Sequence, residues 1–291
     1  MNNRYVLNDS CLRPRQQMLE KFSRIGYFII RAVVGELVCA NHKGQQLKRL
    51  TDQNVIITGA SSGFGRAIAL ACAAEGAHVA LVARRETELQ AVAEQAQTAG
   101  ARTVVCAADV RDEAAVLAAV ETTRQKLGPI DILVNNAGTN VTQRSITDTG
   151  SDQWRYLLDV NLTSAFLFTK AVLPEMKARR SGLIINLSSR AGLRPSLPAG
   201  VAYSASKMGM DALTQVTNQE GNPFAVRACL ICPGTANTPL LDLRPAPPPQ
   251  PEREHMLQAE DIAAAVIFVA TLPPRAHVDL VSIKPTQPSH L

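Results

Sequence analysis

From about residue 51 onward the apolar positions fall into two alternating patterns. Short, β-branched runs bounded by turn residues read as buried strands: Gln53–Thr58, His78–Ala83, Val104–Val110, Ile130–Asn135, Leu183–Leu187, Val226–Ile231 and Val278–Ile283. Between them lie longer segments of helix formers with an apolar stripe: Arg66–Gly76, Glu86–Ala99, Glu113–Leu127, Asp152–Arg179, Ala202–Glu220 and Gln258–Leu272. Strand and helix in alternation argue for an α/β fold, a doubly wound parallel sheet covered on both faces. With 291 residues, 46% of them hydrophobic, the chain can bury one large core, so one main domain is expected over residues 51–291. No internal repeat is evident.

Residues 1–50 do not share this pattern and read as a poorly ordered, basic N-terminal extension. They hold nine Lys/Arg against three Asp/Glu, a balance of +6 in a chain whose whole formal charge is +5. The sequence pI near 9.0 therefore belongs to the extension, and the near-neutral body gives no reason to expect a nucleic-acid partner. The apolar run Ile25–Ile30 is interrupted by Arg31 and Glu36, too short and too charged for a spanning helix. Three readings of the extension stay open: a loosely attached leader, a surface helix over residues 15–40 touching an anionic membrane, or a removed targeting segment. Six cysteines lack disulfide or zinc spacing, and no metal is expected. Cys229 and Cys232 spell C-x-x-C, but on a strand residues three apart face opposite sides, so both read as core.

The first strand runs into Gly59-Ala60-Ser61-Ser62-Gly63-Phe64-Gly65 and then into a helix. A glycine turn at a helix N-terminus offers free backbone N–H groups to a pyrophosphate. Gly59 permits the tight turn, Gly63 lets the backbone approach the phosphates, and Gly65 lets helix and strand pack closely. The second strand ends in Arg84-Arg85, with no acidic residue to bind a ribose 2′-hydroxyl. Guanidinium groups pair strongly with phosphate, so NADP(H) is expected over NAD(H); the alternative is that one or both arginines are solvated loop residues. Asp109 and Val110, read as the end of the third strand, would meet the adenine edge.

Tyr203 and Lys207 stand four apart on a predicted helix and share one face. A neighbouring ammonium favours the phenolate and would lower the tyrosine pKa from about 10, giving a proton donor and acceptor. Taken with the glycine turn, Asp109-Val110, Asn135-Asn136-Ala137-Gly138, Asn161, Ser188-Ser189 and Pro233-Gly234, the sequence closely resembles the short-chain dehydrogenase/reductase family. The resemblance covers roughly residues 51–291 and implies a Rossmann-like fold. It implies Tyr203 as acid/base and Lys207 as the group that lowers the tyrosine pKa and holds the nicotinamide ribose. Ser189 would orient the substrate carbonyl, and Asn161 would hold a water that relays protons. Ser189 is preferred to Ser188 because it stands three residues before Gly192, as in the family. Cofactor contacts are implied at Gly59, Ser61, Ser62, Gly63, Phe64, Gly65, Arg84, Arg85, Asp109, Val110, Asn136, Ala137, Gly138, Tyr203 and Lys207. Pro233, Gly234, Ala236 and Thr238 would cover the nicotinamide and phosphates.

Between Thr238 and Gln258 proline is too dense for an ordinary helix or inner strand. This stretch, about 238–258, reads as a substrate lid with Leu240, Leu241 and Leu243 as an apolar wall; a solvent-exposed linker is the other reading. Arg190, Arg194 and Arg244 are candidate anchors for an acidic substrate or else surface charges. The segment from Leu272 to Thr286 resembles the subgroup of NADP-dependent 3-hydroxy acid and serine dehydrogenases. The expected function is interconversion of an alcohol and a ketone or aldehyde by an NADP(H)-dependent, cytoplasmic homodimer or homotetramer. The rivals are a non-enzymatic NADP-binding sensor and a membrane-tethered reductase of a lipid-like substrate.

Overall fold

The computed structural model describes residues 29–33, 36–40 and 48–286. The described residues fall into two units, divided between Lys48 and Arg49. In the first, β1 (Ile29–Val33) and β2 (Glu36–Ala40) pair antiparallel, with Ile29 opposite Ala40 and Val33 opposite Glu36. Part of the 15–40 segment read as a surface helix is therefore β-strand, and the rest lies outside the described residues.

The second unit is a seven-stranded parallel sheet flanked by helices. Its chain order is β3 (Asn54–Thr58), α1 (Gly63–Ala74), β4 (His78–Ala83), α2 (Glu86–Thr98), β5 (Thr103–Ala107), α3 (Glu113–Leu127) and β6 (Ile132–Asn135). It continues with α4 (Ser151–Leu158), α5 (Ser164–Arg179), β7 (Gly182–Leu187), α6 (Val201–Gly221), β8 (Val226–Pro233), α7 (Gln250–Arg253), α8 (Ala259–Ala270) and β9 (Leu280–Ile283). The spatial order is β5-β4-β3-β6-β7-β8-β9. Every residue of β3 and β6 is buried, as expected of strands covered on both faces.

One core lies between the sheet and α1, α2 and α8, through Ile68, Leu89, Val92 and Val266. The other lies under α3 and α5, through Val116, Val120, Phe168, Val172 and Met176. Cys229 belongs to the first core and Cys232 to a small cluster with Met210 on the opposite face, the alternation a strand imposes. Burial pushes their thiols up to about 12 and about 11. The stretch Ser151–Arg179 is long and apolar enough to cross a membrane by length and composition alone, but Leu167, Phe168, Val172 and Met176 of that stretch fill the second core.

Three boundaries differ from the sequence expectation. Arg49 and Leu50 belong to the body: Leu50 is fully buried and Arg49 forms an ion pair with Glu75 at the end of α1. The third strand stops at Ala107, so Asp109 and Val110 sit in the turn beyond it, where Asp109 accepts from the Arg111 backbone and side chain. The long helix expected from Asp152 to Arg179 is interrupted by a π-helical turn at Asp159–Thr163. That turn carries Asn161, whose side chain is committed elsewhere, and such insertions widen a helix locally.

Candidate active site

Strand order reverses between β3 and β6, because the chain winds outward through β4 and β5 before returning beside β3. At such a switch point the carboxyl ends of the strands open a crevice. Here it is a cleft of about 510 Å³, lined from the turns after β3, β4, β5, β6 and β7, with Tyr203 and Lys207 of α6.

The glycine turn forms the floor. Gly59 has φ of +66°, and its carbonyl crosses directly under Gly65 of α1. The Asn136 amide donates to the Thr58 and Gly59 carbonyls (2.8 and 3.3 Å), tying the turn after β6 to the turn after β3. The Thr58 hydroxyl accepts from the Asn136 and Ala137 backbone N–H groups, both at 2.9 Å. Thr58 is thus a positioning group that the sequence reading left without a role, its strand-end location being the one signal available. At the outer end Arg85 donates to the Ser61 and Ser62 hydroxyls (2.9 and 3.0 Å) and pairs with Glu88. Arg84 and Arg85 both line the cleft, and Arg84 and Arg111 hold the Asp109 carboxyl below its usual range, with Arg111 the larger influence.

At the inner end α6 presents Tyr203 and Lys207. The Lys207 ammonium is buried, donates to the Leu187 carbonyl (2.8 Å) and stands 5.8 Å from the Tyr203 ring centre. Desolvation depresses its pKa to about 8. Contrary to the sequence expectation, the phenol's own pKa is raised. Burial is the largest influence, opposed by hydrogen bonding from Ser189 and the charge of Arg144. Lysine sits beside the ring rather than against the hydroxyl, so desolvation wins. Ser189 caps the turn Arg190–Gly192, accepts from the Ala191 N–H (3.1 Å) and lies against the phenol. Ser188 lines the cleft, which Ser189 does not, and its hydroxyl donates to the Lys207 carbonyl (2.8 Å). A side chain at Gly192 would strike that carbonyl, which accounts for the glycine three residues after Ser189.

Asn161 is fully buried behind Lys207 and does not line the cleft. Its oxygen accepts from the Thr139 N–H (2.7 Å), and its amide donates to the Thr139 carbonyl and the Ser206 hydroxyl (both 3.0 Å). Gly138 is the open space in front: a Cβ there would come 3.4 Å from Lys207 Nζ and 3.5 Å from Asn161 Oδ1.

Other expected contacts fall differently. Gly65 packs beneath the turn rather than facing the cleft. Thr238 lines the cleft, but Pro233, Gly234 and Ala236 do not. Pro233 pairs with Ile283, the Gly234 N–H donates to the Ile283 carbonyl (2.7 Å), and Ala236 bridges to Leu257, so sheet pairing draws all three away. Leu240 and Leu243 line the cleft while Leu241 is buried in the body, because Pro239–Leu243 coils as a 3₁₀ turn. Tyr156 and Val160 line it too, Tyr156 carrying the Arg111 guanidinium at 5.2 Å. Arg190 and Arg194 line a separate cavity of about 270 Å³ with Leu193, Ser282 and Lys284.

The chain matches the short chain dehydrogenase family over residues 53–247. It is 34% identical over 239 residues to an uncharacterised oxidoreductase of Staphylococcus epidermidis, covering 82% of this chain and all of that protein. It is also 34% identical over 296 residues to glycine betaine reductase ATRR of Emericella nidulans, covering 96% of this chain but spanning only 23% of that protein's length. Among solved structures, a metagenomic short-chain oxidoreductase in complex with NADP superposes with a TM-score of 0.71 at 32% identity, over 82% of this chain and all of that one. The switch-point cleft, the glycine turn beneath it and these likenesses agree: the chain belongs to the short-chain dehydrogenase family of oxidoreductases.

Proposed function

We propose that this protein is an NADP(H)-dependent oxidoreductase that interconverts an alcohol and a ketone or aldehyde, with Tyr203 as acid/base. The observation that carries the reading is the convergence of Tyr203 and Lys207 at the inner end of a glycine-floored cleft, with Ser189 set against the phenol. The residues present fit a dinucleotide: Gly59, Gly63 and Gly138 line the cleft without side chains, and the two arginines flank the outer mouth. A bound nicotinamide nucleotide would supply or accept the hydride.

The chain's own groups would do the rest. Ser189 would donate to the substrate oxygen and hold it against the phenol, where charge develops during reduction. Tyr203, its pKa raised by burial, keeps its proton at neutral pH and can deliver it to that oxygen. Lys207 would hold the cofactor ribose, and Asn161 would hold Thr139 and Ser206 in register behind it, beside the proton route to solvent. Arg84 and Arg85 would face a 2′-phosphate, Asp109 and Val110 the adenine, and Leu240 and Leu243 the substrate from a lid spanning about 238–258.

A panel of ketones and aldehydes, assayed with NADPH and NADH at 340 nm, tests the reading. Oxidation of NADPH in preference to NADH is expected, and replacing Arg84 and Arg85 together by alanine should shift the ratio toward NADH by roughly tenfold. Nucleotide binding without turnover of any carbonyl would favour a sensor instead.

Self-association belongs to the same proposal. Phe166 on α5 and Met208 and Val216 on α6 are each about half exposed, large apolar side chains of the sort that oligomer interfaces bury. Sedimentation should show a dimer or tetramer; a monomer at micromolar concentration would remove this part.

A further inference from the structure

Arg144 lies in the loop between β6 and α4, and no sequence motif marks it. Its guanidinium is shared among three backbone carbonyls from separate segments. Nε donates to Val141 of its own loop (2.8 Å), Nη1 to Pro198 before α6, and Nη2 to Leu243 of the proline-rich stretch (2.9 Å). The loop is also fastened to the start of the helix that carries Tyr203. The Arg144 carbonyl accepts from the Val201 N–H (3.1 Å), and the Asn140 amide donates to the Ala199 carbonyl (3.0 Å). Gly200, at φ of +89°, passes so close that a Cβ there would lie 2.9 Å from that of Arg144.

We propose that Arg144 is a positioning residue, clasping the lid at Leu243 to the N-terminal end of α6 and so setting the gap between the lid leucines and Tyr203. The proposal rests on the reading of Tyr203 as acid/base given above. A planar guanidinium can direct N–H groups at three carbonyls in fixed directions, which an ammonium cannot. Its hydrogen bonds all end on neutral carbonyls, so its charge is left to act across the site. The groups facing the phenol are Ser189, Arg144, Cys232 and Lys207; those facing Arg144 are Tyr203 and Arg244. Arg144 favours the phenolate, and its removal moves the tyrosine titration to higher pH.

Hydrogen exchange of the NADPH-bound protein, compared among wild type, Arg144→Met and Arg144→Lys, tests the clasp without requiring turnover. In both variants amides of residues 198–202 and 239–257 should exchange on the order of tenfold faster, with the sheet unchanged. In the carbonyl assay KM should rise on the order of tenfold, more than kcat falls. The pH limb of kcat/KM should move up in Arg144→Met and stay in place in Arg144→Lys, which keeps the charge. Lid exchange equal to wild type, or protection lost evenly across the whole sheet, overturns the clasp. If Arg144→Met does not fold, the exchange pattern of Arg144→Lys decides. A wild type that turns over no carbonyl sinks the reading of Tyr203, while the exchange result still judges the clasp.

Discussion

Replacing Tyr203 by phenylalanine is expected to reduce kcat a thousandfold or more while leaving the affinity for NADPH within a few-fold of wild type. The substitution removes one oxygen from the inner wall of the cleft and keeps the ring against Lys207. The groups proposed to contact the nucleotide, the glycine turn, Arg85 and Asn136, lie away from the phenol and are untouched. Proton transfer then has no matched group, because the aliphatic Ser189 hydroxyl is a far weaker acid than a phenol and the Lys207 ammonium donates to the Leu187 carbonyl. The pH dependence carries a definite sign. Reduction needs the protonated phenol, so its rate falls as pH rises through the tyrosine pKa; oxidation needs the phenolate and rises over the same range. Burial places that range higher than the lysine spacing alone suggests, with Ser189 and Arg144 pulling it back. Stopped-flow turnover and fluorescence titration with NADPH check both halves. Activity retained in Tyr203→Phe would contradict the acid/base assignment.

Gly65→Ala is expected to destabilise the protein by about 2–3 kcal/mol and to abolish measurable nucleotide binding. An alanine Cβ there would lie 2.2 Å from the Gly59 carbonyl oxygen and 2.6 Å from Asn136 Nδ2. The first is backbone and cannot swing aside, so the turn itself has to move. Moving it breaks the Asn136 bonds to Thr58 and Gly59 that join the two sides of the cleft floor. Gly100 is the useful contrast. Its φ is +90°, yet a Cβ there would meet nothing within 4 Å, so Gly100→Ala should cost about 1 kcal/mol of backbone strain and leave binding intact. Thermal unfolding of both variants with and without NADPH separates steric from conformational cost. A Gly65→Ala protein that is stabilised by NADPH as wild type is would show that the turn can yield.

Much of the architecture was legible because it follows from local pattern. Val55-Ile56-Ile57 is apolar on both faces, which suits only a strand covered on both sides, and the glycine turn marks where the chain must reverse into α1. The π-helical turn at Asp159–Thr163 was not legible: Ser151–Arg179 reads as continuous helix, and what breaks it is Asn161 bonding to Thr139 and Ser206. The placement of Cys229 and Cys232 in the core was legible because strand alternation sends the two thiols into different buried clusters.

On its own, then, the order of motifs along the chain determined the parallel sheet, the family and the end of the sheet at which the cleft opens. These are consequences of hydrophobic period, turn chemistry and short-range spacing. Only the folded chain decided which charge acts on Tyr203. Lys207, four residues away, turned to a carbonyl, whereas Arg144 was brought to bear by contacts 54 and 99 residues distant in sequence. Desolvation and long-range hydrogen bonding depend on everything packed around a group, and no spacing rule encodes them.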